Sequence, residues 1–157
     1  MNRLFIILLF LLIPTIVKPQ TSPKYHLKDI QSFRMFVMDL PTEIEEMGLR
    51  NDSIRTVVKQ QLKQSGISLS DYTYTPFIYI EVNTYNDKRF SVYPFNISLS
   101  VIHIVELGDK STWGIIYSVN FVTMTSDVNE IHVGIRDVVN TFIRDYKEVN
   151  PNTIPID

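Results

Sequence analysis

Apolar residues recur with two different periods along this chain, and the changes of period mark the predicted elements. Four segments carry apolar residues at every second position, which is typical of strands with one dry and one wet face: 30–39, 77–84, 91–107 and 112–125. Two further segments carry them at every third or fourth position, which is typical of amphipathic helices. These are 52–65 and the stretch from about Asp127 to Pro151. The predicted order is therefore β-α-β-β-β-α.

Helix signals flank both helical segments. Asn51 or Asp52 is placed to cap the first helix, and Gly66 is placed to end it in a left-handed conformation. Asp127 or Asn129 can cap the second. Two amphipathic helices need the dry face of one sheet to cover their apolar stripes. We predict an α+β two-layer sandwich, with a four-stranded, mainly antiparallel sheet and both helices on one face.

The alternation also assigns side chains to faces of the sheet. In the last strand it places Trp113, Ile115 and Tyr117 on the same face, together with Val119 and Phe121. Short turns separate the last three strands, so consecutive antiparallel pairing is the simplest arrangement.

The amino terminus is typical of a secretory signal peptide. Arg3 precedes an apolar run over 4–17, and polar residues return at Lys18. A membrane-spanning helix needs roughly 20 apolar residues, so this run is short for a span. We expect segment 1–20 to be removed, with the exact bond between Gln20 and Ser22 left open. An uncleaved amino-terminal membrane anchor is the alternative. A polar segment, 21–29, then precedes one domain, 30–151, and a tail, 152–157.

Composition removes several classes of function. The chain has no cysteine, which excludes disulfides, thiolate metal sites and a lipid-modified amino-terminal cysteine. Two of the 15 basic residues, Arg3 and Lys18, lie in the predicted signal peptide, which leaves 13 against 17 acidic residues. This balance offers no basic field to hold nucleic acid or an anionic membrane, so no nucleic-acid partner is expected. No stable membrane span is expected either, because the amino-terminal apolar run is short.

No catalytic, metal or cofactor motif is present. The three histidines, His26, His103 and His132, lack the spacing that places two imidazoles on one metal ion. No nucleophile elbow or phosphate loop occurs. His103 is in phase with the apolar residues of its strand, so it is interpreted as a sheet histidine with satisfied hydrogen bonds; a buried base or proton switch is the alternative. We therefore predict no catalytic residue, no metal and no cofactor.

An excess of aromatic residues is the most suggestive feature of the domain. Tyrosine joins a flat apolar ring to a hydroxyl group, which suits contact with a glycan or a protein. The alternative is that tyrosine simply favours strands and strand edges. The candidate ligand-binding residues are Tyr72, Tyr74, Tyr79, Tyr85, Tyr93 and Trp113.

Several sequence stretches resemble a family of small exported bacterial proteins of unknown function. They are QLKQSGI at the end of the first helix, PFIYIEVNTY in the second strand, TWG in the fourth and DVVNTFIRDYKEVNP in the last helix. The resemblance implies export and this fold, and it implies no catalytic residue. The order of elements is also similar to that of the lipopolysaccharide-assembly lipoproteins, although this chain lacks their lipid-bearing cysteine.

The sequence thus favours an exported, non-enzymatic protein of the envelope or periplasm that binds or assembles with an unknown envelope protein or glycan. Two alternatives remain open. One is a secreted hydrolase that uses carboxylates such as Asp39, Glu43 and Glu81 in a groove at the sheet edge. The other is a host-facing secreted factor.

Overall fold

A computed structural model describes residues 23–84 and 93–153. The predicted signal peptide, Tyr85 and residues 154–157 lie outside the described residues. The mixed α+β class is confirmed, with five strands and three helices after a 3-10 turn at Pro23–Leu27. The strands are β1 (Ser32–Val37), β2 (Ser68–Leu69), β3 (Phe77–Thr84), β4 (Tyr93–Leu107) and β5 (Lys110–Thr125). The helices are α1 (Thr42–Glu46), α2 (Asn51–Gln64) and α3 (Val128–Val149).

The sheet is mixed and has the order β2-β1-β3-β4-β5. Strand β1 runs parallel to both of its neighbours, whereas β3, β4 and β5 form an antiparallel meander. The prediction of a four-stranded, mainly antiparallel sheet with two helices is wrong in these details. The connection from β1 to β3 contains α2, and a crossover helix brings the next strand back parallel to the first. The additional elements, β2 and α1, span only two and five residues, too few for a period to show.

The helices cover one face of this sheet. Helix α2 packs against β1 and β2, α3 packs against β4 and β5, and the two helices contact each other. Inward-facing strand residues such as Phe33, Ile80 and Leu99 are fully buried beneath them. Phe142 of α3 lies at the centre, with its ring centroid 5.5 Å from Phe33 and 5.8 Å from Tyr117. The apolar stripes of both helices therefore meet the dry face of the sheet.

A β-bulge changes the phase of β5. Tyr117 pairs with Val101, but the next pair joins Ile115 to Ile102, so Ile116 is an extra residue without a partner. Residues before the bulge therefore point to the opposite face from the one that uninterrupted alternation gives them. Tyr117 faces the helices as predicted, whereas Trp113 and Ile115 turn to the open face, and this part of the sequence prediction is wrong.

The predictions for the ends of the helices are confirmed in part. Gly66 has φ +81° just after α2, and Asp127 accepts a hydrogen bond from the amide of Asn129 (2.8 Å) at the start of α3, so both predictions are confirmed. The cap predicted for α2 is wrong. Arg50 occupies the N-cap position and makes no capping hydrogen bond through its side chain, while Asn51 is already helical.

Asn150 fastens the end of α3 to the start of the domain. Its Nδ2 donates to the carbonyl oxygens of Leu27 and Tyr146, at 3.0 Å each, and its Oδ1 accepts from the amide of Asp29 at 2.8 Å. The hydroxyl of Tyr146 donates to the carbonyl of Ile30 at 2.6 Å in the same region. One polar side chain thus holds two segments that are far apart in sequence.

Loss of the hydrogen bonds of the Asn150 side chain should destabilise the domain. Asn150→Ala leaves the amide of Asp29 and the carbonyl of Leu27 without their partner, and we expect the free energy of unfolding to fall by about 2 kcal/mol. Urea denaturation followed by tryptophan fluorescence measures the change. Asn152→Ala is the control, because Asn152 is exposed and its replacement should change stability by less than about 0.5 kcal/mol. Equal midpoints for the two variants would contradict the role of Asn150.

Candidate functional site

The face of the sheet opposite the helices carries a row of aromatic side chains. Phe36 of β1 and Phe77 of β3 have ring centroids 5.3 Å apart at an interplanar angle of 73°. Phe77 in turn lies 5.4 Å from Trp113 of β5. Three strands therefore contribute to one continuous row, in which Phe36 is 41% and Trp113 is 47% exposed.

Isoleucines extend this row into a patch. Ile102 pairs with Phe77 on one side and with Ile115 on the other, and Ile104 pairs with Trp113. Ile115 is 65% exposed. We call the whole surface the aromatic patch, and its members are Phe36, Phe77, Ile102, Ile104, Trp113 and Ile115. Contiguous exposed apolar surface of this kind marks interaction sites on soluble proteins.

Arg34 connects the aromatic patch to the loop between β2 and β3. Its guanidinium carbon lies 5.0 Å from the ring centroid of Phe36, a cation–π contact. Its Nη1 donates to the carbonyl oxygen of Thr73 at 3.3 Å. Tyr72 and Tyr74 flank that carbonyl in the chain, so Arg34 places the two tyrosines beside the patch.

The structure divides the predicted tyrosine cluster. Tyr72 and Tyr74 are a solvent-facing pair, 68% and 66% exposed, with ring centroids 5.9 Å apart. Tyr79 projects from the open face of β3, opposite Ser100. Tyr93 is partly buried and packs against the core, so it does not belong to the same surface. Together with Trp113, three of the described tyrosines therefore face the open side or its border.

A groove of about 300 Å³ lies next to the Tyr72 and Tyr74 pair. His103 of β4 lines it, along with Ile30 and Pro76. The Nδ1 atom of His103 is buried and has no hydrogen-bond partner among the described residues. The prediction of a sheet histidine with satisfied hydrogen bonds is therefore not confirmed at this atom.

The middle of the open face is polar. Ser98 and Ser100 of β4 are buried by their neighbours, and the Ser100 hydroxyl donates to that of Ser118 at 3.2 Å. Glu81 and Asn120 flank Ser98 on the adjacent strands. These polar residues separate the aromatic patch from Val122 and Met124, two exposed apolar residues at the far end of β5.

The carboxylates considered for hydrolysis do not form one site. Asp39 follows β1 and accepts a 3.4 Å hydrogen bond from Asn51, Glu43 lies on α1, and Glu81 projects from the open face of β3. None of these three carboxylates lines any of four surface grooves found among the described residues. Within 23–84 and 93–153, no group of three or more histidines or carboxylates is placed to hold a metal ion.

Tyr117 and His132, which both lie on the helix side of the sheet, have shifted pKa values. Burial raises the pKa of Tyr117 well above its usual range, and its hydrogen bond to Asp145 (2.9 Å) acts in the same direction. Burial lowers the pKa of His132, and the neighbouring Arg136 adds to the effect. Tyr117 therefore remains a hydrogen-bond donor that ties β5 to α3, which is a structural role.

Comparison with known proteins gives a coarse likeness only. No family model matches the chain, and no curated protein is detectably similar to it in sequence. A crystal structure of a minor lipoprotein from Acinetobacter baumannii is similar with a TM-score of 0.36 and 11% identity, over 78% of this chain and 94% of that chain. A similarity of this size transfers no residue role. No helix in the described part of the chain is long and apolar enough to cross a membrane.

Sequence reasoning missed most of the aromatic patch. Phe36 and Phe77 occupy the wet side of their strands, and an aromatic residue at a wet position is a signal for a binding surface that the alternation contained but that was not used. Ile102 and Ile104 carried the same signal, since they are out of phase with Val101 and Val105. Trp113 was selected as a binding residue from its type alone, and the bulge that exposes it has no sequence pattern that we recognised.

Proposed function

We propose that this protein is an exported, non-enzymatic binding module that docks a partner protein on its aromatic patch. The observation that carries the proposal is the row formed by Phe36, Phe77 and Trp113 on a sheet face that no described helix covers. The export signal predicted at residues 1–20 places this work outside the cytoplasm, in the envelope or beyond.

The chemistry of the aromatic patch supports binding. Tryptophan, tyrosine and arginine are the residue types most often found at the energetic centres of protein interfaces. Trp113 lies within the patch, and Arg34 and the Tyr72 and Tyr74 pair form its border. The contact of Phe77 with both other rings of the row restricts their motion, so less conformational entropy is lost when a partner binds.

A protein partner fits this surface better than a glycan. Sugar recognition needs several polar groups beside the stacking ring, because each buried hydroxyl must be hydrogen-bonded. On its face Trp113 is bordered by Ile104, Ile115 and Phe77, with Ser111 and Glu106 only on the side of the β4–β5 turn. These two residues, Arg34 and the tyrosine pair form a polar rim around an apolar centre, which suits a protein interface.

Site-specific photo-crosslinking in living cells tests the proposal. A benzoylphenylalanine at position 115, at the exposed margin of the aromatic patch, should give one adduct of defined mass. The control position is 133, because Val133 is also an exposed apolar residue (43%) but lies on α3, away from the patch. We expect no matching adduct from position 133.

Substitution of the ring that joins the row gives a second readout. Phe77→Ala removes the ring that contacts both Phe36 and Trp113. Loss of a hot-spot residue costs about 2 kcal/mol of binding free energy, or about 30-fold in affinity. The yield of the adduct from position 115 should therefore decrease. The proposal fails if positions 115 and 133 give the same adducts, or if Phe77→Ala leaves the adduct unchanged while the variant remains folded by circular dichroism.

A further inference from the structure

A second surface, separate from the aromatic patch, lies at the edge of the sheet that β2 forms. A groove of about 470 Å³ runs between α2 and the edge strand β2. One wall is basic and consists of Arg55, Lys59 and Lys63, which are all exposed. We propose that this groove binds an extended acidic peptide segment of a partner protein.

The basic wall is unusual in this chain. The whole sequence has a net charge of −2, yet the groove has three cations and a single carboxylate, Asp71. In the described part of the chain, neither ion pair recorded between side chains involves these cations. Their charges are therefore available to a ligand, and they attract an anion against the sign of the molecule as a whole.

The position of the cations costs the helix stability. Arg55 and Lys59 are four residues apart, as are Lys59 and Lys63, and like charges at this spacing repel each other on one helix face. Lys63 lies in the last turn of α2, where the helix dipole favours positive charge, but the helix gains nothing from the repulsion between neighbouring cations. A binding surface for anions, by contrast, requires several cations side by side.

The spacing of the cations fits an extended chain. Residues four positions apart in an α-helix are separated by about 6 Å along its axis. Alternate residues of an extended strand are about 6.7 Å apart and point to the same side. A strand with carboxylates at every second position therefore places successive charges beside Arg55, Lys59 and Lys63.

The floor and the far wall of the groove suit the rest of such a peptide. Met35, Ile67 and Leu69 provide apolar contacts, and Leu69 is 37% exposed. Leu69 belongs to β2, the last strand of the sheet on this side. An edge strand leaves every second peptide group unpaired on its open side, so a bound segment can pair with it. Because β2 has only two residues, charge supplies most of the attraction.

Fluorescence anisotropy of a labelled peptide tests the proposal with the purified protein. The probe is a nine-residue peptide that alternates glutamate with valine. The comparison peptides have the same composition with the glutamates contiguous, or have glutamine in place of glutamate. We expect binding of the alternating peptide that weakens as NaCl is raised, and at least about tenfold weaker binding of both comparison peptides.

The matched variants separate binding from folding. In Arg55→Gln/Lys59→Gln/Lys63→Gln we expect a loss of affinity of about tenfold or more, together with a urea midpoint that is unchanged or higher, because the repulsion on α2 is relieved. The control variant, Lys110→Gln/Arg136→Gln/Lys147→Gln, loses the same charge at three residues that do not line the groove. It should bind the alternating peptide as tightly as the wild type does.

Several results would overturn the inference. They are failure of the wild type to bind the alternating peptide, equal binding of the contiguous peptide, and equal losses in the two triple variants. Binding to phosphatidylglycerol vesicles in preference to the peptide would also overturn it, in favour of a lipid surface. Phe77→Ala should leave peptide binding unchanged, so this result is independent of the function proposed for the aromatic patch.

Discussion

Phe142→Ala should lower the free energy of unfolding by about 3–5 kcal/mol, the range found when a buried phenylalanine is truncated. Phe142 is fully buried in α3, and its ring makes edge contacts with Phe33 of β1 and Tyr117 of β5. The substitution therefore removes apolar contacts with both sides of the sheet at once and leaves a cavity at the centre. Urea denaturation measures the loss.

Two further variants identify the cause of this loss. Phe142→Leu retains most of the buried volume and should cost less than half as much as Phe142→Ala. Val133→Ala lies on the exposed side of the same helix and should change stability by less than about 0.5 kcal/mol. If Val133→Ala lowers the free energy of unfolding as much as Phe142→Ala does, the loss of stability arises from the helix itself and not from the core.

Gly134→Val should be the second severe change, at about 3 kcal/mol. A Cβ at position 134 would lie 2.6 Å from the Cδ1 atoms of both Ile97 and Phe121, so these side chains, and with them the packing of α3 on the sheet, must shift to make room. Intrinsic helix propensity acts in the opposite direction, because valine is a better helix former than glycine. The sign of the measured change therefore distinguishes steric conflict from propensity.

Arg136→Val is the control for Gly134→Val, because position 136 is exposed on the same helix. It should change the urea midpoint only slightly. A stabilised or unchanged Gly134→Val variant would show that α3 does not approach the sheet as closely as Gly134 allows.

The alternation and the helical period predicted the longer elements because those elements have one buried side. Strand β3 was predicted at its observed bounds, and α3 was predicted from its apolar stripe and its cap at Asp127. Neighbouring strands cannot be paired by periodicity alone, so the parallel partner of β1 was missed. The crossover through α2 was visible in the order of elements and could have indicated it.

The candidate site was predictable only in part, for a similar reason. Trp113, Tyr72 and Tyr74 were selected because aromatic residues suit binding, and all three are exposed. Tyr93 was selected on the same ground, but it points into the core because it is in phase with Phe95 and Ile97. The basic groove was missed because Arg55, Lys59 and Lys63 look like an ordinary solvated helix face until β2 is placed beside them.

The bulge at Ile116 makes the aromatic patch sensitive to the length of β5. In-frame loss of one codon on the turn side of Trp113, such as that for Ser111, would let Ile116 pair with Ile102 and restore uninterrupted alternation between Tyr117 and the turn at Gly108. Trp113 and Ile115 would then turn inward, and Gly114 would take an outward position on the open face. One deletion could thus erase this surface without replacing any of its residues, so related chains that share the patch should conserve the length of this strand as strictly as its aromatic residues.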